Sequence, residues 1–154
     1  MASRSSIATR VRRLAAGDLE TVVRLDAAHT GTAKMEYWAE VFRSFVGTRR
    51  GHVALAAETE GRMTGYLLGE VRAFEFGSEP CGWIFAVGVD PAALRHGIAS
   101  QLLDEALRRF RELGVQRVRT MVRRSDVPVL AFFRASGFAG GSFVQLERDL
   151  GPES

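Results

Sequence analysis

Val87-Gly88-Val89-Asp90-Pro91-Ala92-Ala93-Leu94-Arg95-His96-Gly97-Ile98-Ala99-Ser100 is the stretch on which the fold turns. It closes the apolar run Cys81–Val89, which has strand length and no polar interruption, so a strand buried on both faces near a sheet centre is expected. Asp90-Pro91 ends that strand. A turn with one glycine then opens a helix whose apolar stripe is Ile98, Leu102, Leu103, Ala106, Leu107, Phe110 and Leu113, with Gly114 as its stop. The first amides of a helix have no internal acceptor, and the macrodipole is positive there. Such an end attracts anions, and Gly97 lets a phosphate approach the backbone with no Cβ in the way. Ala99 is nearly as small, and Arg95 and His96 can add charge from the side.

Outward from this centre the periods alternate. Upstream, Ala8–Leu14 reads as a first strand, and Asp18 as the cap of a helix carrying Leu19, Val22, Val23 and Asp26. His29–Ala33 reads as a polar turn, and Met35, Trp38, Val41, Phe42 and Phe45 as a second helix ending at Gly47. Val53–Thr59 and Met63–Phe76 are expected to form an antiparallel hairpin around Glu60-Gly61. Downstream, Arg117–Arg123 alternates as a strand, and Pro128 starts a helix that Gly137 ends. Phe143–Leu150 alternates as a last strand. The expected order is βααβββαβαβ, an α/β fold with a mixed sheet flanked by helices.

The 154 residues suit one domain, taken as 8–150 after a disordered leader over 1–7. No stretch is long or apolar enough to span a bilayer, and the N-terminus lacks the apolar core of a secretory signal. Cys81, the single cysteine, cannot form an internal disulfide and suits a reducing cytoplasm as a small buried residue. The net charge of +3 comes almost entirely from scattered arginines, Lys34 being the only lysine. They form no run with interleaved aromatics, which argues against nucleic acid as a partner. His29, His52 and His96 are too scattered for a metal site.

Leu94-Arg95-His96-Gly97-Ile98-Ala99 resembles the central motif of the GNAT N-acetyltransferase superfamily, Arg/Gln-x-x-Gly-x-Gly/Ala between a central strand and a long helix. A second match lies in Arg123-Arg124-Ser125-Asp126 followed by Ala131-Phe132-Phe133-Arg134-Ala135-Ser136-Gly137-Phe138, where the family has an Asn, an Ala-x-x-Tyr helix and Gly-Phe. The resemblance implies a GNAT fold and transfer of acetyl from acetyl-coenzyme A to a primary amine of a small molecule or peptide, without a metal. It implies that main-chain groups of Val87, Gly88 and Val89 pair with the pantetheine arm. The amides of Arg95, His96, Gly97, Ile98, Ala99 and Ser100 would hold the pyrophosphate. Asp126 and Phe133 would lie beside the arm near the thioester.

Four positions depart from the family pattern. Leu94 replaces Arg or Gln, which the backbone amides tolerate. Asp126 replaces Asn and brings a carboxylate towards phosphates. Phe133 stands where a tyrosine commonly protonates the leaving thiolate, a contribution worth about 10²–10⁴-fold for a positioned acid. Trp83 and Met121 stand where a glutamate base is common. Glu70 and Glu75 on the long strand, and His29 in the turn, are the remaining candidate bases, alongside a water chain. Of the aromatic set, Trp38, Phe42 and Phe45 read as a core face, while Tyr37 lies off that stripe and can face an acceptor pocket, as can Phe74 and Phe76. The missing acid and base leave open a non-catalytic acyl-coenzyme A sensor. A dinucleotide fold is disfavoured, since no Gly-x-Gly-x-x-Gly follows an early strand. A homodimer through the last strand is a further possibility.

Overall fold

The computed structural model describes residues 8–152 except Thr48 and Arg95. Residues 8–121 and 122–152 form two compact units. In the first, β1 (Thr9–Arg13), α1 (Leu19–Thr30), α2 (Met35–Phe45), β2 (His52–Thr59), β3 (Arg62–Arg72), β4 (Cys81–Val89), α3 (Ile98–Glu112) and β5 (Val118–Thr120) follow one another. The sheet runs β1-β2-β3-β4-β5, antiparallel except for the parallel β4–β5 pair. This is the mixed α/β sheet expected, with β4 inside it.

Two apolar layers hold the sheet. On one face Val22, Val23 and Leu25 of α1 and Trp38, Val41 and Phe42 of α2 pack with Ala56, Tyr66 and Leu68. Leu102, Leu103, Ala106 and Phe110 of α3 are buried within 2% of complete exclusion from solvent. Phe110 and Ile98 lie against the other face, over glycines of β3 and β4. The hairpin turn has φ of 53° at Glu60 and 76° at Gly61, the left-handed pair that matches strand twist.

Several expected boundaries move. Asp18 does not cap α1 through its side chain; it sits in a 3₁₀ turn and serves β1. Its carboxylate accepts from Arg12 Nη1 at 2.7 Å, Arg12 Nη2 at 2.9 Å and the Ala15 amide at 2.8 Å. Burial pushes this carboxyl up, but the bonds from Arg12 and Ala15, with the Arg12 charge, hold it below the ordinary range. Its folded pKa is thus lower than its unfolded value of about 3.9. The stabilisation is complete above that unfolded value and is lost as pH falls through the folded one. Asp18→Asn is expected to lower stability by about 1 kcal/mol at pH 7, with the gap to wild type closing towards pH 3 in urea titrations.

The long strand ends at Arg72, not Phe76. Phe74 and Phe76 take left-handed φ of 63° and 53° around a 3₁₀ turn, which no strand continues through. The first helix runs through Thr30, so His29 lies in its last turn rather than in a loop. Residues 81, 82, 84, 88 and 89 of β4 are buried, and residues 85–87 are half-buried beyond the last β5 pair among the described residues.

In the second unit, α4 (Val127–Ala135) has Pro128 in its first turn, and Gly137 follows at φ 94°. Phe133 stacks edge-on with Phe132 and Phe138, each at 5.1 Å. The predicted last strand, Phe143–Leu150, is not formed: residues 139–152 pair with no strand among the described residues. Alternation specifies a face to bury, but a strand also needs a neighbour for its backbone groups. Val144, Leu146 and Leu150 are all exposed. The homodimer expected through this strand thus has no strand among the described residues to form it. Residues 1–7, expected as a leader, lie outside the described residues.

Candidate active site

The site begins where β4 and β5 part. Their pairing ends at Ile84–Thr120, where the Thr120 hydroxyl donates to the Ile84 carbonyl at 3.0 Å. Phe85 is an extra residue on β4: Leu68 pairs with Ala86 but Gly69 with Ile84. Beyond this bulge β4 pairs only with β3. The Asp90 amide donates to the Thr64 carbonyl at 2.8 Å. Gly65–Val89 is therefore a pair whose own backbone groups point away from each other, and Leu67–Val87, two residues on, is the same. Val87 consequently offers its amide and carbonyl to the open edge of β4, and Val89 its amide, the Val89 carbonyl being taken by His29 Nε2 at 2.7 Å.

The helix that follows starts from a glycine in the left-handed region. Gly97 precedes α3 at φ 70°, and a Cβ there would meet nothing within 4 Å. The first amide of this end with an acceptor is Gln101, bonded to the Gly97 carbonyl at 3.1 Å. The amides of Ile98, Ala99 and Ser100 bond to no described residue outside the helix. Ile98 itself is buried, its side chain against β3, which anchors the helix start. Asp90 accepts from the Ala92 amide at 2.9 Å and shapes the intervening turn. His96 is exposed, and Arg95 lies outside the described residues.

On the α1–α2 side of the open edge is a cavity of about 390 Å³. Asp26, Lys34, Tyr37, Trp38 and Tyr66 line it, with residues 85–87 of β4. Asp26 Oδ2 accepts from Lys34 Nζ at 2.9 Å and from Trp38 Nε1 at 3.0 Å. Its Oδ1 accepts from no described residue. Tyr37, half exposed, faces the cavity as expected from its place off the α2 stripe, whereas Phe74 and Phe76 are exposed elsewhere and do not line it.

The candidate bases separate clearly. His29 Nε2–H donates to the Val89 carbonyl at 2.7 Å, which brings this imidazole to the end of β4. Its Nδ1 then carries the lone pair of the neutral ring. Glu70 accepts from Arg72 Nε at 3.0 Å, and Glu75 is exposed in the β3–β4 turn. Trp83 lies under the Arg72 guanidinium at 5.1 Å, and Met121 is exposed. Asp126 caps α4, accepting from the Val129 amide at 3.3 Å. Cys81 is buried beneath Arg119 Nη1 at 3.3 Å from its sulfur, away from this edge.

Tyr66 and Lys34 escape a reading of the sequence. Tyr66 sits in an apolar strand, and only its register opposite Gly88 reveals it. Among the described residues no three potential ligands gather for a metal, and no helix is long and apolar enough to cross a membrane.

Comparison with known proteins fits this geometry. The mycothiol acetyltransferase of Saccharomonospora viridis is 34% identical over 87 residues, which cover 54% of this chain and 28% of that protein. The matched stretch is thus little more than a quarter of the relative's length. Aminoglycoside N-acetyltransferase AAC(6')-Iy in complex with CoA superposes with a TM-score of 0.80 at 14% identity, over 96% of this chain and 99% of its own. A transcriptional regulator from Bacillus halodurans superposes at 0.77 with 20% identity, over 93% and 100%. At such identities these two likenesses concern the fold. Residues 19–138 match the acetyltransferase (GNAT) family, from the start of α1 to the glycine turn after α4. With its open β4 edge, its glycine-led α3 and a match over most of its length, the chain belongs to the acetyltransferase (GNAT) family.

Proposed function

We propose that this chain transfers acetyl from acetyl-coenzyme A to a primary amine of a small molecule, by direct attack in a ternary complex within a single domain spanning 8–150. The observation that carries this is the pairing of Val87 and Val89 backbone groups, turned to a free edge, with the unbonded first amides of α3. The edge suits the amides of a pantetheine arm, and the helix end suits a pyrophosphate. Asp126 and Phe133 remain proposed neighbours of the arm by family resemblance. The cavity beside β4 falls in the range of about 300–1,000 Å³ usual for small-molecule sites. An acceptor amine finds a hydrogen-bond acceptor in Asp26 Oδ1, beside the Asp26–Lys34 ion pair, and aromatic walls in Tyr37 and Trp38.

His29 takes the proton that the amine sheds before attack, at Nδ1, while its Nε2–H stays on Val89. Amine nitrogen then bonds to the carbonyl carbon, the carbon–sulfur bond breaks, and the electron pair leaves on sulfur. His29→Gln is expected to lower kcat by about 10²-fold or more. An unchanged kcat would leave deprotonation to water.

Acetyl-coenzyme A is expected to raise the unfolding midpoint, with a stabilisation that grows as the logarithm of one plus its concentration over Kd. Free thiol should then appear with a panel of small primary amines. No midpoint shift at millimolar ligand would sink the cofactor reading. A shift without thiol release on a broad panel would favour a second reading, an acyl-coenzyme A-binding module without turnover. The absence of a hydroxyl at Phe133 and of carboxylates at Trp83 and Met121 motivates that alternative.

A further inference from the structure

Phe133 cannot protonate a departing thiolate, and Trp83 and Met121 offer no proton either. One phenol hydroxyl nevertheless lies over β4 at Gly88. Tyr66 stands on β3 directly opposite Gly88. Its ring does not stay over its own strand. A Cβ built on Gly88 would lie 2.5 Å from Tyr66 Cε1 and 2.6 Å from both Cζ and Oη. The phenol therefore crosses from β3 over β4 at Gly88, between the two residues whose backbone groups face the gap. Trp38 holds the ring from the other side, edge-on at 5.5 Å.

The hydroxyl itself is uncommitted. It makes no hydrogen bond to a described residue, yet it is not a sealed, unpartnered polar atom. The residue is 3% exposed and lines the cavity with Asp26 and Tyr37. Burial, and then the negative charge of Asp26 and the neighbouring Tyr37, push the phenol's pKa above its ordinary value. It therefore keeps its proton at neutral pH and acts as a donor.

We propose that the Tyr66 hydroxyl donates a hydrogen bond to the departing sulfur of the acyl donor and stabilises the thiolate as it forms, the contact for which Phe133 is unequipped. The assignment rests on Val87–Val89 being the berth of the pantetheine arm. The step balances without a co-reactant. As the carbon–sulfur bond breaks, its electron pair goes to sulfur, which holds it against the Tyr66 hydroxyl while the phenol keeps its proton. The ammonium's first proton has gone to His29, and the second, which the nitrogen loses after attack, neutralises the thiolate. Gly88 has a role in this arrangement, since any side chain there would occupy the place of the hydroxyl.

The test needs no acceptor. Coenzyme A bearing a free thiol is bound at saturation, and its thiolate absorbance near the ultraviolet edge is titrated with pH. A donor aimed at sulfur stabilises the thiolate and lowers the thiol's pKa. In Tyr66→Phe the bound thiol should titrate about one unit higher than in wild type. Phenylalanine keeps the ring over Gly88 and removes no hydrogen bond to a described residue, so the unfolding midpoint should stay close to that of wild type. Tyr37→Phe, which removes the other phenol of the cavity, should titrate as wild type does. Identical curves for wild type and Tyr66→Phe, with coenzyme A bound to both, overturn the Tyr66 assignment alone. A shift produced by Tyr37→Phe instead also overturns it. If coenzyme A binds neither protein, the reading of Val87–Ser100 fails, and the Tyr66 assignment falls with it.

Discussion

Gly88→Ala is expected to lose both stability and affinity for acetyl-coenzyme A. The added methyl would lie 2.5–2.6 Å from three atoms of the Tyr66 ring, closer than real Cβ contacts come. Tyr66 has little room to yield, because Trp38 packs against it edge-on and Leu68, two residues on, is completely buried. Overpacking of this kind in a filled core costs about 1–3 kcal/mol. A second effect follows from the pairing. Gly88 lies between Val87 and Val89, so a ring or strand that shifts to admit the methyl also moves their edge-facing groups. Calorimetric titration with acetyl-coenzyme A should show weakening of tenfold or more, since about 1.4 kcal/mol of lost interaction already gives that factor. Combining Gly88→Ala with Tyr66→Ala removes the clash and should restore much of the binding, though not the hydroxyl. Full affinity and stability in the single variant would mean that the ring does not cross Gly88 as described.

Residue patterns reveal the elements of this chain where one physical signal dominates. The α3 stripe from Ile98 to Phe110 repeats at helical spacing, and its start and stop are both marked by glycine; Ile98–Glu112 results. The Glu60-Gly61 turn announces the hairpin because few dipeptides tolerate two positive φ values. The signal fails where two devices compete for one residue. Asp18 has the composition of a helix cap, but Arg12, fixed on the neighbouring strand, offers two charge-assisted bonds and takes the carboxylate. Beyond Arg72 the apolar Phe74 and Phe76 extend the strand pattern, although their backbone has already turned.

The candidate site was legible for backbone recognition and much less so for side-chain chemistry. A glycine between a central strand and a long helix is a local pattern, so residues 97–100 stand out from composition and order alone. The open edge of β4 depends instead on where β5 stops, and β5 spans only Val118–Thr120 of the alternating stretch Arg117–Arg123. His29 and Tyr66 meet β4 through contacts across the sheet and from the end of a helix, separated by 60 residues in the His29–Val89 case. No spacing rule reaches that far. Trp83, Met121 and Phe133 stand out as absences; His29 is visible as a candidate base in a polar turn, whereas Tyr66 lies on a strand that reads only as apolar.

Phe110→Ala should be among the most damaging single changes in the chain, and its partner variants make the reason visible. Phe110 is 1% exposed and fills the space above two glycines in adjacent strands, Gly69 on β3 and Gly82 on β4. A Cβ at Gly82 would have Phe110 Cδ1, Cε1 and Cγ as its three nearest atoms, at 2.8, 2.9 and 2.9 Å. The ring thus sits where side chains would otherwise stand, and it sets how closely α3 approaches the sheet that carries the site. Removing it leaves a cavity that two glycines cannot fill, a loss of about 3–5 kcal/mol for a buried aromatic. Gly82→Ala alone should cost about 1–3 kcal/mol by collision with the ring. In the Phe110→Ala background that collision is gone, and the same methyl should be neutral or stabilising, a coupling of at least about 1 kcal/mol in urea titrations of the four proteins. Gly69→Ala should behave differently. Its Cβ would lie 2.6 Å from the Trp83 carbonyl oxygen as well as 2.9 Å from Phe110 Cζ, and backbone cannot step aside as a truncated ring does. Phe110→Ala should therefore rescue Gly82→Ala and leave Gly69→Ala destabilised. Equal rescue of both, or of neither, would contradict the idea that Phe110 seats α3 by occupying the place of missing side chains.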